Sequence, residues 1–297
     1  MSLLARIIDY GFAKANPPRD EKGNLDFVKL REQFASKEPP KTPKSLSLSL
    51  LQNEEIDGEI ITPKESKGAI IYIHGGAFTT GSAKERRNIT FYLAKKYSYR
   101  VISINYRLAP ENKWPAQLED CFKAYKYICE NITKDVILMG ESAGASLVLS
   151  LGLYAKEQKY ILPKAIAAFS PVTNAYEQYP SHYDNIKTDK MLGDMVIKGL
   201  SEVLFEKEPS KEELMNPCLS PINGDYQNMP PIFLSASMSE TLFDDSKYLY
   251  EKLVKENHVV EKDFQKRVCH AYPIFPFLKE AKTTLKKCFQ FLNNLKD

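Results

Sequence analysis

The sequence predicts an α/β domain built on a mostly parallel sheet of about eight strands, with helices on both faces and a helical cap. Two observations carry the sheet. From Ser45 onward, short strand-like runs alternate with helix-like stretches of roughly 10 to 16 residues, the length that crosses over between parallel neighbours. Several runs, among them Ala69 to Ile73 and Ala165 to Phe169, are apolar throughout, as strands buried on both faces are. A third observation sets the cap apart. Residues 1–44 and 172–217 stand outside the alternation, and the second is too long for an ordinary connection.

The elements follow in order. Ser45 to Leu51 alternates polar and apolar side chains, the period of a half-buried strand. Ile56 to Thr62, ended by Pro63, follows after a short connection, so these two make an antiparallel start. Ala69 to Ile73 is a buried run that meets Gly75 and Gly76; a helix near Lys84 to Tyr97 leads to the strand Arg100 to Asn105. Pro115 suits a first helical turn, and Leu118, Cys121, Phe122, Tyr125 and Ile128 follow at helical spacing. Val136 to Met139 is the next strand, with a helix behind it to about Glu157. Ala165 to Phe169 and Pro231 to Ser237 are strands; Asp245 to Glu256 is a helix, Glu261 to Cys269 a strand, and Phe277 to Leu295 a last helix. Met191 to Phe205 reads as helical material inside the interruption. The chain therefore divides into a core of residues 45–171 and 218–297, a cap insertion at 172–217, and an N-terminal cap segment at 1–44 that packs with it.

At 297 residues the chain can bury an ample core, and 43% hydrophobic with 27% charged residues is ordinary globular composition. The 41 basic and 38 acidic residues leave a formal charge of +3 with no basic block, which argues against a nucleic-acid partner. Five scattered cysteines, an odd number without a C-x-x-C pair, give neither a disulfide framework nor a metal site and point to a reducing compartment. Arg6 and Asp9 break the apolar character of the N-terminus, and no run of 18 apolar residues exists. The expectation is a cytoplasmic protein without a membrane span, needing no metal and no cofactor.

Chemistry enters at Gly140-Glu141-Ser142-Ala143-Gly144, set between a strand and a helix. A serine on such a sharp turn is held in strained backbone geometry with its hydroxyl at the sheet edge, the nucleophile elbow. The pattern alone is weak, since a glycine-rich turn with a passive serine matches it equally well. A serine hydroxyl attacks only when a base takes its proton, and histidine is the usual base. Of four histidines, His74 precedes the paired glycines, His182 lies in the insertion, and His258 sits in a polar turn. His270 stands on the loop after the last strand, where a serine–acid–histidine chain order places the base. The acid falls in the loop after Pro231 to Ser237. Glu240 lies in the turn itself and is the first choice; Asp244 is the alternative, though with Asp245 it stands where a helix start favours acidic residues. The oxyanion formed on attack needs preorganised N–H donors. Gly75, Gly76 and Ala143 are the expected donors, with His74 buttressing the loop.

These residues resemble those of the hormone-sensitive-lipase-like family of α/β-hydrolase esterases. The matching stretches are His74-Gly75-Gly76-Ala77-Phe78, Tyr106-Arg107-Leu108-Ala109-Pro110-Glu111 with Trp114-Pro115-Ala116, and Gly140 to Gly144; Ser170-Pro171, Ser220-Pro221 and Met229-Pro230-Pro231 follow. They stand in the family's order over about residues 45 to 295. The resemblance implies the α/β-hydrolase fold, a cap made by the N-terminal stretch and the insertion, and dimerisation, which relatives often show. Two positions depart from the pattern. Ala77 replaces a glycine of the oxyanion loop, and Glu240 replaces the usual aspartate.

The resulting expectation is a serine carboxylesterase that cleaves small-molecule, short-chain acyl esters through an acyl-enzyme. Phe78, Tyr176, Tyr183, Met191 and Met195 are candidates for the acyl pocket. The same triad would serve an amidase or a deacetylase of small metabolites or sugars, and a ligand receptor that has lost catalysis is the alternative outside enzymology.

Overall fold

Four apolar runs build the centre of the molecule. In the computed structural model, which describes all residues except 1–2, 15–17, 20, 22–25, 36–37, 54, 199–200 and 296–297, β3 (Ala69–Ile73), β5 (Val136–Glu141), β6 (Ala165–Phe169) and β7 (Ile232–Ser237) are buried at every position. Such strands need cover on both faces. They are flanked by β1 (Leu46–Gln52), β2 (Asp57–Pro63), β4 (Arg100–Ile104) and β8 (Val260–Gln265) in one eight-stranded sheet of order β1-β2-β4-β3-β5-β6-β7-β8. Only β2 runs against its neighbours; the other pairings are parallel. The eight-stranded α/β expectation holds.

Side chains alternate between the two covering layers. Ile71, Ile73, Leu138, Ile166 and Ala168 face one cluster, where α4 (Ala116–Asn131) supplies Leu118, Tyr125 and Ile128, and α5 (Ala143–Glu157) supplies Leu147, Val148 and Leu151. Ile70, Tyr72, Met139, Ala167 and Phe169 face the other, where α3 (Arg87–Tyr97) supplies Ile89, Phe91 and Leu93. Leu285, Phe289 and Leu292 of the last helix (Lys279–Asn294) complete that layer. Each fully buried leucine of this kind contributes about 1.5–3 kcal/mol. The pattern follows from the period-2 projection of the strands and the 3.6 period of the helices.

Ahead of the sheet lie α1 (Leu3–Lys14) and α2 (Phe27–Ala35). Arg31 of α2 ties the N-terminal segment to the core: its guanidinium donates to the carbonyls of Thr79 at 2.5 Å and Ala109 at 2.6 Å, and to both carboxylate oxygens of Glu111. Among the described residues, the α-helices between β6 and β7 are α6 (Pro180–Asp184), α7 (Met195–Lys198), α8 (Ser201–Leu204) and α9 (Lys211–Met215), all short. The helical material expected over Met191 to Phe205 starts at Met195, after a turn over 191–194 in which Gly193 takes φ +54°, and residues 199–200 lie outside the described set. β8 is also shorter than expected. It ends at Gln265 because the chain turns at Arg267, whose φ is +56°. Helix α10 (Phe243–Lys255) connects β7 to β8, which makes the helix after β8 α11.

The site is positioned by the sheet order. The chain leaves β3 for β4 on one side, and β5 for β6 on the other. Crevices open beyond the carboxyl ends of parallel strands where the direction of winding reverses. His74 follows β3, Ser142 follows β5, Ser170 follows β6, Glu240 follows β7 and His270 follows β8, so all five emerge at that end.

Candidate active site

The turn after β5 cannot form without small residues. Ser142 takes φ +55° and ψ −127°, a conformation that costs a non-glycine residue about 1–3 kcal/mol. A Cβ on Gly144 would lie 2.1 Å from the Ile73 carbonyl oxygen, so only glycine lets α5 start against the end of β3. The Ser142 N–H donates to the Phe169 carbonyl at 2.8 Å, which locks the turn to β6. Ser142 thus stands at the start of α5, where the helix dipole favours developing negative charge.

His270 and Glu240 meet. The His270 Nδ1–H donates to Glu240 Oε2 at 2.9 Å, and both side chains are buried. Because a carboxylate only accepts, Nδ1 carries the proton and Nε2 keeps its lone pair. Nε2 is buried and has no protein partner among the described residues. Ser170 links the two loops to the elbow strand's neighbour: its hydroxyl donates to Glu240 Oε2 at 3.0 Å and accepts the Ala271 N–H at 3.2 Å. The Ser237 N–H adds a longer bond, 3.3 Å, to Glu240 Oε1. Burial disfavours the imidazolium, but the carboxylates of Glu240, Asp189 and Glu141 outweigh it and hold the His270 pKa above its ordinary value. Asp244 is elsewhere. Its carboxylate accepts the Ser181 N–H at 2.9 Å and lies 3.8 Å from Lys247, so the structure brings Glu240, and not Asp244, to the imidazole.

The loop after β3 corrects one expected donor. The Gly75 N–H is taken by Glu141 Oε1 at 2.7 Å, because this buried carboxylate, next to Ser142 in sequence, points back into the loop. Glu141 also accepts from Arg86 Nε at 2.6 Å and Tyr72 Oη at 2.5 Å. Gly75 is therefore an anchor of the loop rather than a free donor. Gly76, Ala77 and Phe78 follow with φ of +126°, +54° and +61°, a left-handed run that turns successive amides toward one side. Among the described residues, no acceptor receives the amides of Gly76, Ala77 or Ala143. Ala77, absent from the expected donors, shares that unpaired state; its place inside the loop motif was the sequence signal for it.

His74 braces this loop. Burial pulls its pKa down to about 3, so it is neutral at working pH, and its Nδ1–H donates to the Gly75 carbonyl at 2.9 Å. Its ring stacks on Tyr106 at 4.3 Å between centroids, and the Tyr106 hydroxyl donates to the His74 carbonyl at 2.9 Å.

The pocket candidates separate. Phe78 is buried, with its ring edge-on to Trp114 at 6.3 Å. Met191 packs against a small apolar cluster that includes Val268, Cys269 and Tyr272, which flank His270 in sequence, and Ala5 of α1. Met195 is half-buried. Tyr176 and Tyr183 are 41% and 53% exposed, and the Lys211 ammonium lies 4.8 Å from the Tyr176 ring centroid. Sequence reading missed His182. This imidazole pairs with the buried Asp245 at 2.7 Å and fastens α6 to the start of α10. Among the described residues there is no cluster of metal-ligating side chains, and no helix is long and apolar enough to cross a membrane.

Comparison with known proteins places this geometry. A family model described as the α/β-hydrolase fold matches residues 70–274. An esterase of Acinetobacter venetianus is 30% identical over 246 residues, covering 81% of this chain and 80% of that protein. An acetyl-hydrolase of Streptomyces hygroscopicus is 26% identical, covering 79% of this chain and 78% of the relative. Among solved structures, an esterase/lipase from an uncultured bacterium superposes with a TM-score of 0.85 at 22% identity, over 99% of this chain and 98% of the other. A hyperthermophilic esterase from the archaeon Pyrobaculum calidifontis gives 0.84 at 22% identity, over 98% and 97%. The structural likenesses speak for the fold, and the matched model with the sequence relatives for descent: the chain belongs to the α/β-hydrolase fold family.

Proposed function

We propose that this protein is a serine carboxylesterase cleaving short-chain acyl esters of small molecules, with Ser142 as nucleophile, His270 as base and Glu240 as the acid behind it. At the coarser level it is an ester-hydrolysing enzyme of the α/β-hydrolase class. The observation that carries the finer reading is the buried Glu240–His270 pair with Nε2 left unpartnered, at the strand end where the strained Ser142 turn emerges.

In this reading Ser142 Oγ attacks the ester carbonyl carbon and passes its proton to His270 Nε2. The amides of Gly76, Ala77 and Ala143 hold the oxyanion. Collapse breaks the bond to the alkoxy oxygen, which leaves with the proton from Nε2, and water then repeats the sequence on the acyl-enzyme. Glu240 stabilises the imidazolium without becoming protonated itself. Removing one oxyanion donor from such a site costs about 10²–10³ in kcat. Residues 1–44 and 172–217 serve as a cap in this reading. Ala5 and Met191, one from each segment and both at the apolar cluster that includes Val268, Cys269 and Tyr272, support it, and so does Arg31. The names borne by the sequence relatives, esterase and acetyl-hydrolase, favour esters with small acyl groups.

A series of p-nitrophenyl esters from acetate to palmitate tests the reading. The expected kcat/KM is highest for acetate or butyrate, and Ser142→Ala retains only the background left when a triad serine is removed, a loss of about 10⁶ in kcat. Undiminished turnover in Ser142→Ala would remove the nucleophile assignment; a preference for palmitate would remove the short-chain one.

A further inference from the structure

The acid loop is held from outside the core. Residues 185–189 follow α6 in the segment between β6 and β7, and their polar side chains bind successive backbone groups of the loop that carries Glu240. Asn185 Nδ2 donates to the Glu240 carbonyl at 2.9 Å and to that of Met238 at 3.3 Å. The Thr188 hydroxyl donates to the Ser239 carbonyl at 2.9 Å. Asp189 Oδ2 accepts both the N–H and the hydroxyl of Thr241, at 2.8 and 3.0 Å. Its second oxygen accepts the amides of Met191 at 3.1 Å and Leu192 at 3.0 Å, and so aims the stretch in which Met191 packs beside the His270 loop.

Asp189 is 4% exposed. Among the described residues its oxygens are met by N–H and O–H donors, and no lysine or arginine pairs with it. Burying an ionised carboxylate without a cation costs several kcal/mol, and a neutral amide would make part of the same bonds at less expense. Its four bonds join the acid loop to the Met191 stretch, so this one carboxylate fastens two segments at once. The carboxylates whose charge acts on His270 are Glu240 from the loop after β7, Asp189 from the insertion and Glu141 from the end of β5.

We propose that Asp189 is a positioning residue for the hydrolytic reaction: through Thr241 it fixes the acid loop, so that docking of the insertion and formation of the Glu240–His270 pair are one coupled event. This rests on the triad assigned above. Docking of the insertion by Asn185, Thr188 and Asp189 orients Glu240, and a displaced insertion leaves the imidazole unsupported. An active site built this way is switched on by the same segment that covers it.

The test uses the full chain with Asp189→Ala and Asp189→Asn, measuring kcat and KM for p-nitrophenyl butyrate against pH, together with the low-field proton resonance of His270 Nδ1–H. For Asp189→Ala the expected result is a fall in kcat of about 10²-fold with a smaller change in KM, the size of effect that a misplaced catalytic group produces. The Nδ1–H resonance is lost in the same variant. Asp189→Asn, which keeps an acceptor for Thr241, recovers most of kcat but moves the acidic limb of kcat/KM to lower pH. Wild-type kcat and resonance in Asp189→Ala overturn the proposal, as does an unshifted pH limb in Asp189→Asn. A loss of activity that follows the unfolded fraction while the folded fraction keeps its resonance overturns it too. If wild-type protein hydrolyses no ester, the functional reading fails instead, and the resonance still reports whether Asp189 sets the pair.

Discussion

His270 is where the physical argument is tightest. Its Nδ1 is committed to Glu240, its Nε2 has no partner among the described residues, and nearby carboxylates hold its pKa above the ordinary value. The base works only when neutral, so a raised pKa moves the acidic limb of kcat/KM to higher pH. Activity is therefore expected to fall on acidification with a midpoint above about 6.5, the unperturbed histidine value; a midpoint below 6 would contradict the electrostatic account. Ser142 and His270 were legible in the sequence because each is fixed by something local: a serine between small residues at a strand end, and the lone histidine on the last loop. Gly75 was misread for the opposite reason. Whether its N–H faces substrate depends on Glu141, 66 positions away, whose side-chain direction no local pattern reveals. His182 was passed over likewise, since its partner Asp245 lies 63 positions on.

Elements divide along the same line. β3, β5, β6 and β7 were readable from continuous apolar character, since strands that must be buried on both faces have no other composition open to them. The insertion was not readable in detail, because its short helices are held by side chains of the core rather than by their own periodicity. Ser181 N–H bonded to Asp244 and His182 bonded to Asp245 are examples, and both acidic residues also sit in the first turn of α10, where they oppose its dipole. The loop after β3 depends on an ion pair between the half-buried Arg86, in the turn of 3₁₀ helix Lys84–Arg86, and the buried Glu141 of β5. Replacing Arg86 by methionine leaves the Glu141 charge uncompensated. The expected outcome is a loss of about 3 kcal/mol in urea denaturation, accompanied by reduced kcat as the loop loosens. A change under about 1 kcal/mol with full activity would mean that the pair does not anchor the loop.

On the scale of the whole molecule, sheet order performs the assembly. Five consecutive strand ends, β3, β5, β6, β7 and β8 in the sheet, deliver His74, Ser142, Ser170, Glu240 and His270 to one edge, although Ser142 and His270 stand far apart in the chain. Alternating strands and helices announced the fold, and the serine–acid–histidine order pointed to the strand ends after which Ser142, Glu240 and His270 stand. What the sequence could not supply was the insertion's grip on the acid loop, which exists only once the two are packed together. The central claim is that this convergence makes Ser142 a nucleophile. Intact-mass and peptide mass spectrometry after treatment with a fluorophosphonate measures it directly: one adduct per chain, located on Ser142, appearing in step with the loss of ester hydrolysis, is the predicted result. Unmodified Ser142 in fully inactivated protein, or full labelling of Ser142 with hydrolysis intact, would contradict it.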